Sequence, residues 1–150
     1  MSVTNLVLSF QNQDECWWEV VLADGVHEGV LSASSARSKS LLLLLEAVQI
    51  LLQGASKAKC SWDAAYGEYR WYFSRQERQI LIHILWFDEE MGRKTLLRME
   101  CDLLTFAREL LHQVGQFLDP ENEEKPVFLP KDTQGFQETI RAFEAESGTE

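Results

Sequence analysis

The chain has 150 residues, 45% of them hydrophobic, and its 24 acidic and 14 basic residues give a formal net charge of −10. A chain of this length forms one domain that buries roughly 70% of its unfolded surface. The acidic excess argues against nucleic acid as a partner, because neutralising phosphates takes clustered Lys and Arg side chains. A basic protein partner would suit the same excess, although many acidic proteins have no such partner.

The cysteines and the apolar segments indicate the cellular compartment and the relation to a membrane. Cys16, Cys60 and Cys101 are far apart and lack the C-x-x-C spacing of a zinc ribbon. We therefore expect buried reduced thiols, no disulfide framework and no metal, which suits a cytoplasmic protein. The N-terminus has neither the basic segment nor the cleavage site of a signal peptide. The leucine run at residues 41–45 ends too soon to cross a membrane, which takes about 20 apolar residues. The sequence predicts no membrane segment and no cofactor.

The first third of the chain predicts three strands. Apolar residues alternate in part over residues 3–10, which indicates a strand without settling its buried face. Residues 16–23 are predicted to form a second strand, in which alternate residues face opposite sides of a sheet. The Asp24-Gly25 pair that follows is a strong hairpin signal, so residues 26–32 are predicted as the third strand.

A leucine-rich helix follows this set of strands. It is predicted to begin near Ser38 or Ser40, which can cap its first turn, and Gly54 is the natural residue just past its end. Its apolar stripe is broad, which indicates deep burial or cover by a second element. Residues 55–65 are interpreted as a connection with one large side chain, Trp62.

Residues 66–88 carry the strongest pattern and predict a β-hairpin at the centre of a sheet. A period of two places three aromatic side chains on the buried face of its first strand. Residues 80–87 are apolar at nearly every position except His83, as in an interior strand. Because residues 74–79 contain no Asn-Gly or Asp-Gly pair, we expect a loop of about four to five residues there. The three aromatic residues are Tyr69, Trp71 and Phe73.

The remaining elements complete an α+β pattern. Residues 94–100 alternate and predict a sixth strand, and the clearest amphipathic helix follows, capped by Cys101 or Asp102 and reaching Leu118. A weak last helix is predicted over residues 133–143.

The predicted order is β-β-β-α-β-β-β-α with a C-terminal tail helix. Short connections indicate an α+β two-layer sandwich, in which a largely antiparallel sheet of about six strands is packed by helices on one face. We expect residues 1–118 to form this single domain. Residues 119–150, with nine acidic and three basic residues, are expected to form an acidic, proline-containing extension with a short helix, packed on the same domain.

No motif of a known catalytic class is present in the sequence. It lacks the P-loop, the dinucleotide-binding glycine pattern, the zinc-protease helix motif and the nucleophile elbow. His83, within an apolar strand, fits a hydrogen-bonded interior residue better than a catalyst. A Cys60–His83 pair would be a nucleophilic candidate, but an inert buried thiol is the simpler explanation of Cys60.

Two groups of residues are candidates for binding. The first is a partner surface that combines aromatic side chains facing away from the core with two acidic clusters, which could steer a basic protein. Its members are Trp17, Tyr72, Asp88, Glu89, Glu90, Glu121, Glu123 and Glu124. The second is an alternative pocket between sheet and helix. Its members are Trp62, Tyr66, Glu68, Arg70 and His83. Core packing, surface ion pairs and solvated loops explain the same residues without any ligand.

The run W-D-A-A-Y-G-E-Y-R-W-Y-F, with the aliphatic strand and the acidic turn after it, resembles small bacterial α+β proteins. Some of these resemble immunity proteins of polymorphic toxin systems. The resemblance covers residues 62–118 and carries over no functional residue. It implies a small acidic cytoplasmic protein that binds and blocks a toxin through complementary charge and an aromatic anchor.

Three functional hypotheses follow from the sequence. The first is a non-enzymatic protein-binding module, in particular an immunity-type inhibitor that occludes a basic protein partner. The alternative is a small-molecule-binding domain, or an enzyme without a recognisable motif, with a pocket between sheet and helix. The third is a subunit that self-associates through a strand edge or through the leucine-rich helix.

Overall fold

The computed structural model describes residues 6–12, 18–33, 37–64, 67–90, 92–117 and 130–147. They form an α+β sandwich-like fold with two antiparallel sheets and three helices, which confirms the predicted class and its C-terminal helix. The elements in chain order are β1 (Val7–Asn12), β2 (Trp18–Ala23), β3 (Glu28–Ala33), α1 (Arg37–Leu52), β4 (Lys57–Ala64), β5 (Gly67–Gln76), β6 (Gln79–Asp88), β7 (Gly92–Asp102), α2 (Leu103–Phe117) and α3 (Pro130–Ser147).

The strands form two sheets where the sequence predicts one sheet of about six strands. One sheet has the order β1-β2-β3 and the other the order β4-β5-β6-β7. The strand that the sequence does not predict is β4, which lies within the connection predicted at residues 55–65. It pairs with β5 from Lys57 opposite Ser74 to Ala64 opposite Gly67. Its residues alternate between exposed and buried, because every second side chain turns toward the core.

The β5–β6 connection is tighter than expected. Gln76 and Gln79 face each other across the hairpin, so Glu77 and Arg78 alone form the turn, and the predicted loop of four to five residues is wrong. Glu77 adopts a positive φ of 57°, a conformation that Gly normally supplies in two-residue hairpin turns. The turn therefore forms without the Asn-Gly or Asp-Gly pair that usually marks it.

Both predicted helix ends are confirmed at their capping residues. Gly54, at a φ of 116°, follows α1, and its N–H group and that of Ala55 donate to carbonyls of the last turn. Asp102 caps α2 by accepting a hydrogen bond of 2.9 Å from the N–H group of Thr105. None of the three described helices combines the length and hydropathy that crossing a bilayer requires.

One hydrophobic core joins both sheets and all three helices. Trp18 of the three-stranded sheet lies 5.1 Å from Trp62, and Trp62 lies 4.8 Å from Trp71, measured between ring centroids. Removing such a buried ring costs about 3–5 kcal/mol, so this aromatic chain holds the two sheets together. The indole N–H groups of Trp62 and Trp71 have no hydrogen-bond partner within the described chain, which offsets part of that stabilisation.

Helix α3 packs against both α1 and α2. It buries one apolar stripe, made of Phe136, Ile140 and Phe143, which recur at three- and four-residue spacing. The side chain of Gln49 on α1 also donates a hydrogen bond of 3.0 Å to Thr139. The helix is longer than the predicted segment at residues 133–143 at both ends. It begins at Pro130, a residue that a first helical turn tolerates well, and it continues to Ser147.

Candidate functional site

Four members of the predicted partner surface lie within the described residues, and they do not form one group. Tyr72 lies half-buried near the middle of β5, on the side of the sheet away from the core. Asp88 ends β6 and accepts a hydrogen bond of 2.6 Å from the indole N–H group of Trp86, while Glu89 and Glu90 form the exposed turn beyond it. The acidic turn and Tyr72 are therefore separate features. The other four predicted members, Trp17, Glu121, Glu123 and Glu124, lie outside the described residues.

The predicted pocket between sheet and helix is wrong for Trp62. Its side chain is 1% exposed in the core, whereas Glu68, Arg70 and His83 point to the opposite side of the same sheet. The period of two along each strand separates them, because Trp62 pairs with the inward-facing Tyr69. Tyr66, the fifth member of that set, lies outside the described residues.

Glu68, Arg70, Tyr72 and His83 instead share one surface, the side of the four-stranded sheet that faces away from the core. We call it the four-strand face. The register brings its members together, and they are Lys57, Lys59, Ser61 and Asp63 of β4, Glu68, Arg70, Tyr72 and Ser74 of β5, Leu81, His83, Leu85 and Phe87 of β6, and Arg93, Thr95, Arg98 and Glu100 of β7.

Arg70 is held in place by two neighbours on the four-strand face. Its Nε and Nη2 atoms donate to one carboxylate oxygen of Glu68 at 2.9 and 2.6 Å, and its guanidinium lies 3.8 Å above the ring centre of Phe87. Hydrogen bonds to Glu68 first, and to Tyr72 second, raise the pKa of Arg70. The group therefore stays positively charged while it covers an aromatic ring, an arrangement that recurs in protein interfaces.

His83 lies in a positive environment on the same face. Its Nε2 atom is 3.1 Å from the hydroxyl oxygen of Thr95. Burial lowers the pKa of His83, and the charges of Arg98 and Arg93 lower it further. The imidazole is thus neutral near pH 7 and can exchange a hydrogen bond with an incoming group.

The outer side of the three-stranded sheet forms a second surface with four neighbouring apolar residues, which we call the three-strand face. Its members across the register are Val7, Ser9, Gln11, Glu19, Val21, Ala23, Glu28, Val30 and Ser32. Val7 is 50% exposed and Val30 42% exposed, and Val26 in the adjoining turn is 85% exposed. Within the described ranges, Ile50 on α1 is the one other large hydrophobic residue of comparable exposure. Exposed apolar side chains are therefore concentrated at this sheet.

The surroundings of the three-strand face are acidic. Glu19 and Glu28 lie on the face itself, near opposite ends. Asp24 in the β2–β3 turn accepts backbone hydrogen bonds from His27 at 2.6 Å and Val26 at 2.9 Å. The bond from His27 is the main cause that lowers the pKa of Asp24, so this carboxylate stays charged. The first 36 residues of the sequence contain five acidic residues and no Lys or Arg.

The sequence does not predict the three-strand face. The partial alternation of residues 3–10 leaves the buried side of the first strand open, so the exposure of Val7 could not be predicted. The signal that was present is the absence of Lys and Arg before Arg37, which marks this sheet as a region without positive charge.

Two further features bear on chemistry. Between α1 and α3 lies an open groove of about 610 Å³, where the Arg75 guanidinium donates to the carbonyl of Leu51 and lies 5.1 Å above the Phe143 ring.

Cys60 and Cys101 are free buried thiols, and burial raises the pKa of each to about 12, so both are protonated at neutral pH. Over the described ranges, no three His, Cys, Asp or Glu side chains are grouped so as to hold a metal ion.

The four-strand face is thus polar, aromatic and rich in cations, whereas the three-strand face combines exposed valines with acidic residues near its ends. Comparisons with protein-family models, with curated proteins and with solved structures found no match to this chain.

Proposed function

We propose that this protein is a non-enzymatic protein-binding module that docks through its three-strand face on a basic, partly apolar protein surface. The observation that carries the proposal is the concentration of exposed valines on a sheet surface without Lys or Arg. Clustered exposed apolar residues with a polar rim are typical of protein interaction sites.

The apolar centre supplies the attraction. Val7 and Val30 are each about half exposed, and covering both would contribute about 1 kcal/mol per side chain. A paired antiparallel sheet is a firm support for them, because every residue from Val7 to Asn12 and from Glu28 to Ala33 is in register with β2. Little conformational entropy is therefore lost when a partner binds there.

The acidic residues on and beside the face favour a partner surface with positive charge. Glu19, Asp24 and Glu28 lie on or beside the face, and Lys or Arg side chains of a partner would complement them. A second copy of this chain would bring the same carboxylates toward each other in a two-fold interface, which disfavours self-association through this surface.

An immunity-type inhibitor is the functional class that fits this surface best. Such a protein acts by occlusion, so it needs a rigid complementary surface and no catalytic groups of its own. A basic toxin would be the partner in that case. The free thiols of Cys60 and Cys101 agree with action in a reducing compartment such as the cytoplasm.

Site-specific photo-crosslinking tests the proposal in cells that produce the protein. A photoreactive amino acid at position 30 should yield a defined adduct with another protein of basic surface charge. The same amino acid at position 50 is the matched control, because Ile50 is 45% exposed but lies on α1. We expect no such adduct from position 50. Absence of an adduct at position 30, or an adduct only with a second copy of the chain, would refute the proposal.

A further inference from the structure

A row of four polar side chains crosses the middle of the four-strand face. The register aligns Lys59 with Tyr72, Tyr72 with His83, and His83 with Arg98, so one residue from each strand contributes. Lys59 and Arg98 are exposed at the two ends, and Tyr72 and His83 are half-buried between them. The row presents an ammonium, a phenol, an imidazole and a guanidinium, all of which can donate hydrogen bonds.

The charges of this row are not neutralised. No described residue forms an ion pair with Lys59 or Arg98, whereas Arg70 beside the row is paired with Glu68. The whole face carries five basic and three acidic side chains, although the chain has a net charge of −10. Charges more than roughly 8–10 Å away are screened at physiological salt, so an incoming group at the row senses mainly the side chains of this face, among which cations outnumber acids.

The state of His83 agrees with this local positive field. The groups that face it from the neighbouring strands are Tyr72 and Arg70 on β5 and Arg98, Arg93, Thr95 and Glu100 on β7. Burial is the first cause that lowers the pKa of His83, and the charges of Arg98 and Arg93 lower it further. An anionic group bound at the row would reverse that effect and favour the protonated imidazole.

We infer that this row binds a short acidic segment of a partner protein, laid across the four strands. Neighbouring strands lie about 4.8 Å apart, so the row spans roughly 14 Å, which matches about four residues of extended peptide. Glutamate or aspartate side chains of that segment would accept hydrogen bonds from Lys59, Tyr72, His83 and Arg98. The site goes beyond the proposed function, because it lies on the other sheet and selects the opposite charge.

The acids that flank the row favour a short segment over a nucleic acid. Glu100 lies on one side of it, in the register row of Lys57, and Asp63 and Glu68 lie on the other side. A polyanion with a phosphate at every nucleotide that also ran along the strands would extend over these carboxylates and be repelled. A short extended segment confined to the row directs every second carboxylate at it, where the partners are cations and neutral donors.

The test is a binding titration of the full chain with synthetic probes, followed by fluorescence anisotropy at low and at physiological salt. The probe is the labelled peptide GSEEEEGS, and the matched probe is GSQQQQGS. We expect saturable binding of the glutamate peptide that weakens with salt, and at least tenfold weaker binding of the glutamine peptide. The His83 NMR titration should move to higher pH when the glutamate peptide is bound.

Substitutions locate the site. Lys59→Gln with Arg98→Gln should weaken binding of the glutamate peptide at least tenfold. Lys94→Gln is the matched control, because Lys94 is exposed but pairs with Trp86 on the other side of the sheet, and it should change affinity less than twofold. Val30→Lys should also leave this affinity within twofold, which separates the outcome from that of the proposed function.

Three results would overturn the inference. They are equal binding of the two peptides, no saturable binding at low salt, and equal affinity for the double variant and the Lys94→Gln control. The oligonucleotide dT8 is a further probe, and if it binds more tightly than the glutamate peptide with the same sensitivity to the double variant, the row is a nucleic-acid site and the assigned partner class is wrong.

Discussion

The backbone N–H group of Ser32 donates a hydrogen bond of 3.0 Å to the phenol oxygen of Tyr69. Ser32 lies on the edge of the three-stranded sheet, and Tyr69 is buried under the four-stranded sheet, so this bond joins the two. We expect Tyr69→Phe to lower the free energy of unfolding by about 1 kcal/mol, because the Ser32 N–H group loses its partner. Urea denaturation checks the value. Tyr72→Phe removes a phenol from the outer side of the same strand and should cost less, so equal losses would contradict this role.

Gly67 and Gly135 should respond oppositely to the same substitution. A Cβ atom at Gly67 would lie 2.2 Å from the Phe87 carbonyl oxygen and within 2.9 Å of the Trp86 ring, so Gly67→Ala should destabilise the protein by about 1–3 kcal/mol. A Cβ atom at Gly135, within α3, meets no atom within 4 Å, so Gly135→Ala should stabilise by about 0.5–1 kcal/mol. Thermal unfolding of both variants measures the difference, and a Gly67→Ala variant as stable as wild type would disprove the close packing.

A glycine at position 77, in the β5–β6 turn, should stabilise the folded protein. Glu77 has a φ of 57°, which costs a side chain with a Cβ atom about 1 kcal/mol or more. We expect Glu77→Gly to raise the free energy of unfolding by about 0.5 kcal/mol, after the added flexibility of the unfolded chain is subtracted. Glu100→Gly, at an exposed position within β7, should instead lower it. Chemical denaturation of the two variants measures both changes in the free energy of unfolding.

His83 should titrate below its ordinary pKa of about 6.5. Burial is the first cause and the charge of Arg98 the second, so Arg98→Gln should raise the pKa of His83. NMR titration of the imidazole proton measures both values, and a pKa at or above 6.5 in the wild type would contradict the positive environment described for this face.

The same lowered pKa sets the sign of a pH effect on stability. The unfolded chain binds a proton at His83 more readily than the folded protein does. The stabilisation from neutral His83 is therefore fully present above about pH 6.5 and is lost as the pH falls through the folded pKa. His83→Gln should flatten the decline in stability between about pH 7 and 5.

Features set by local interactions could be predicted from the sequence. The hairpin at Asp24-Gly25, the Asp102 cap and the Gly54 helix end depend on residues within a few positions of each other, and the structure has all three. The hairpin loop is longer than the Asp-Gly pair, because it includes residues 24–27 and the third strand begins at Glu28 instead of Val26. Period two also places Arg70 and Tyr72 on the same outer side of β5, as observed.

Features set by long-range pairing could not be predicted. Residues 57–64 have alternating exposure, but their Ala and Lys content gives a weak strand propensity that pairing with β5 overcomes. Hairpin signals indicate which consecutive strands are neighbours. No local signal indicates whether β3, which precedes α1, pairs with β4, which follows it. The exposure of Val7 and Val30 depends on which side of their sheet faces the core, and the partial alternation of residues 3–10 leaves that side open.

The central claim is that the three-strand face binds a basic partner protein, and affinity measurement with two matched variants tests it most directly. Val30→Lys and Ile50→Lys introduce the same charge at positions of similar exposure, 42% and 45%, but only the first lies on this face. The ligand is the protein that cross-links at position 30. We predict that Val30→Lys weakens binding at least tenfold, or about 1.4 kcal/mol, while Ile50→Lys stays within twofold of wild type. Equal affinities for the two variants would contradict the assignment of this face.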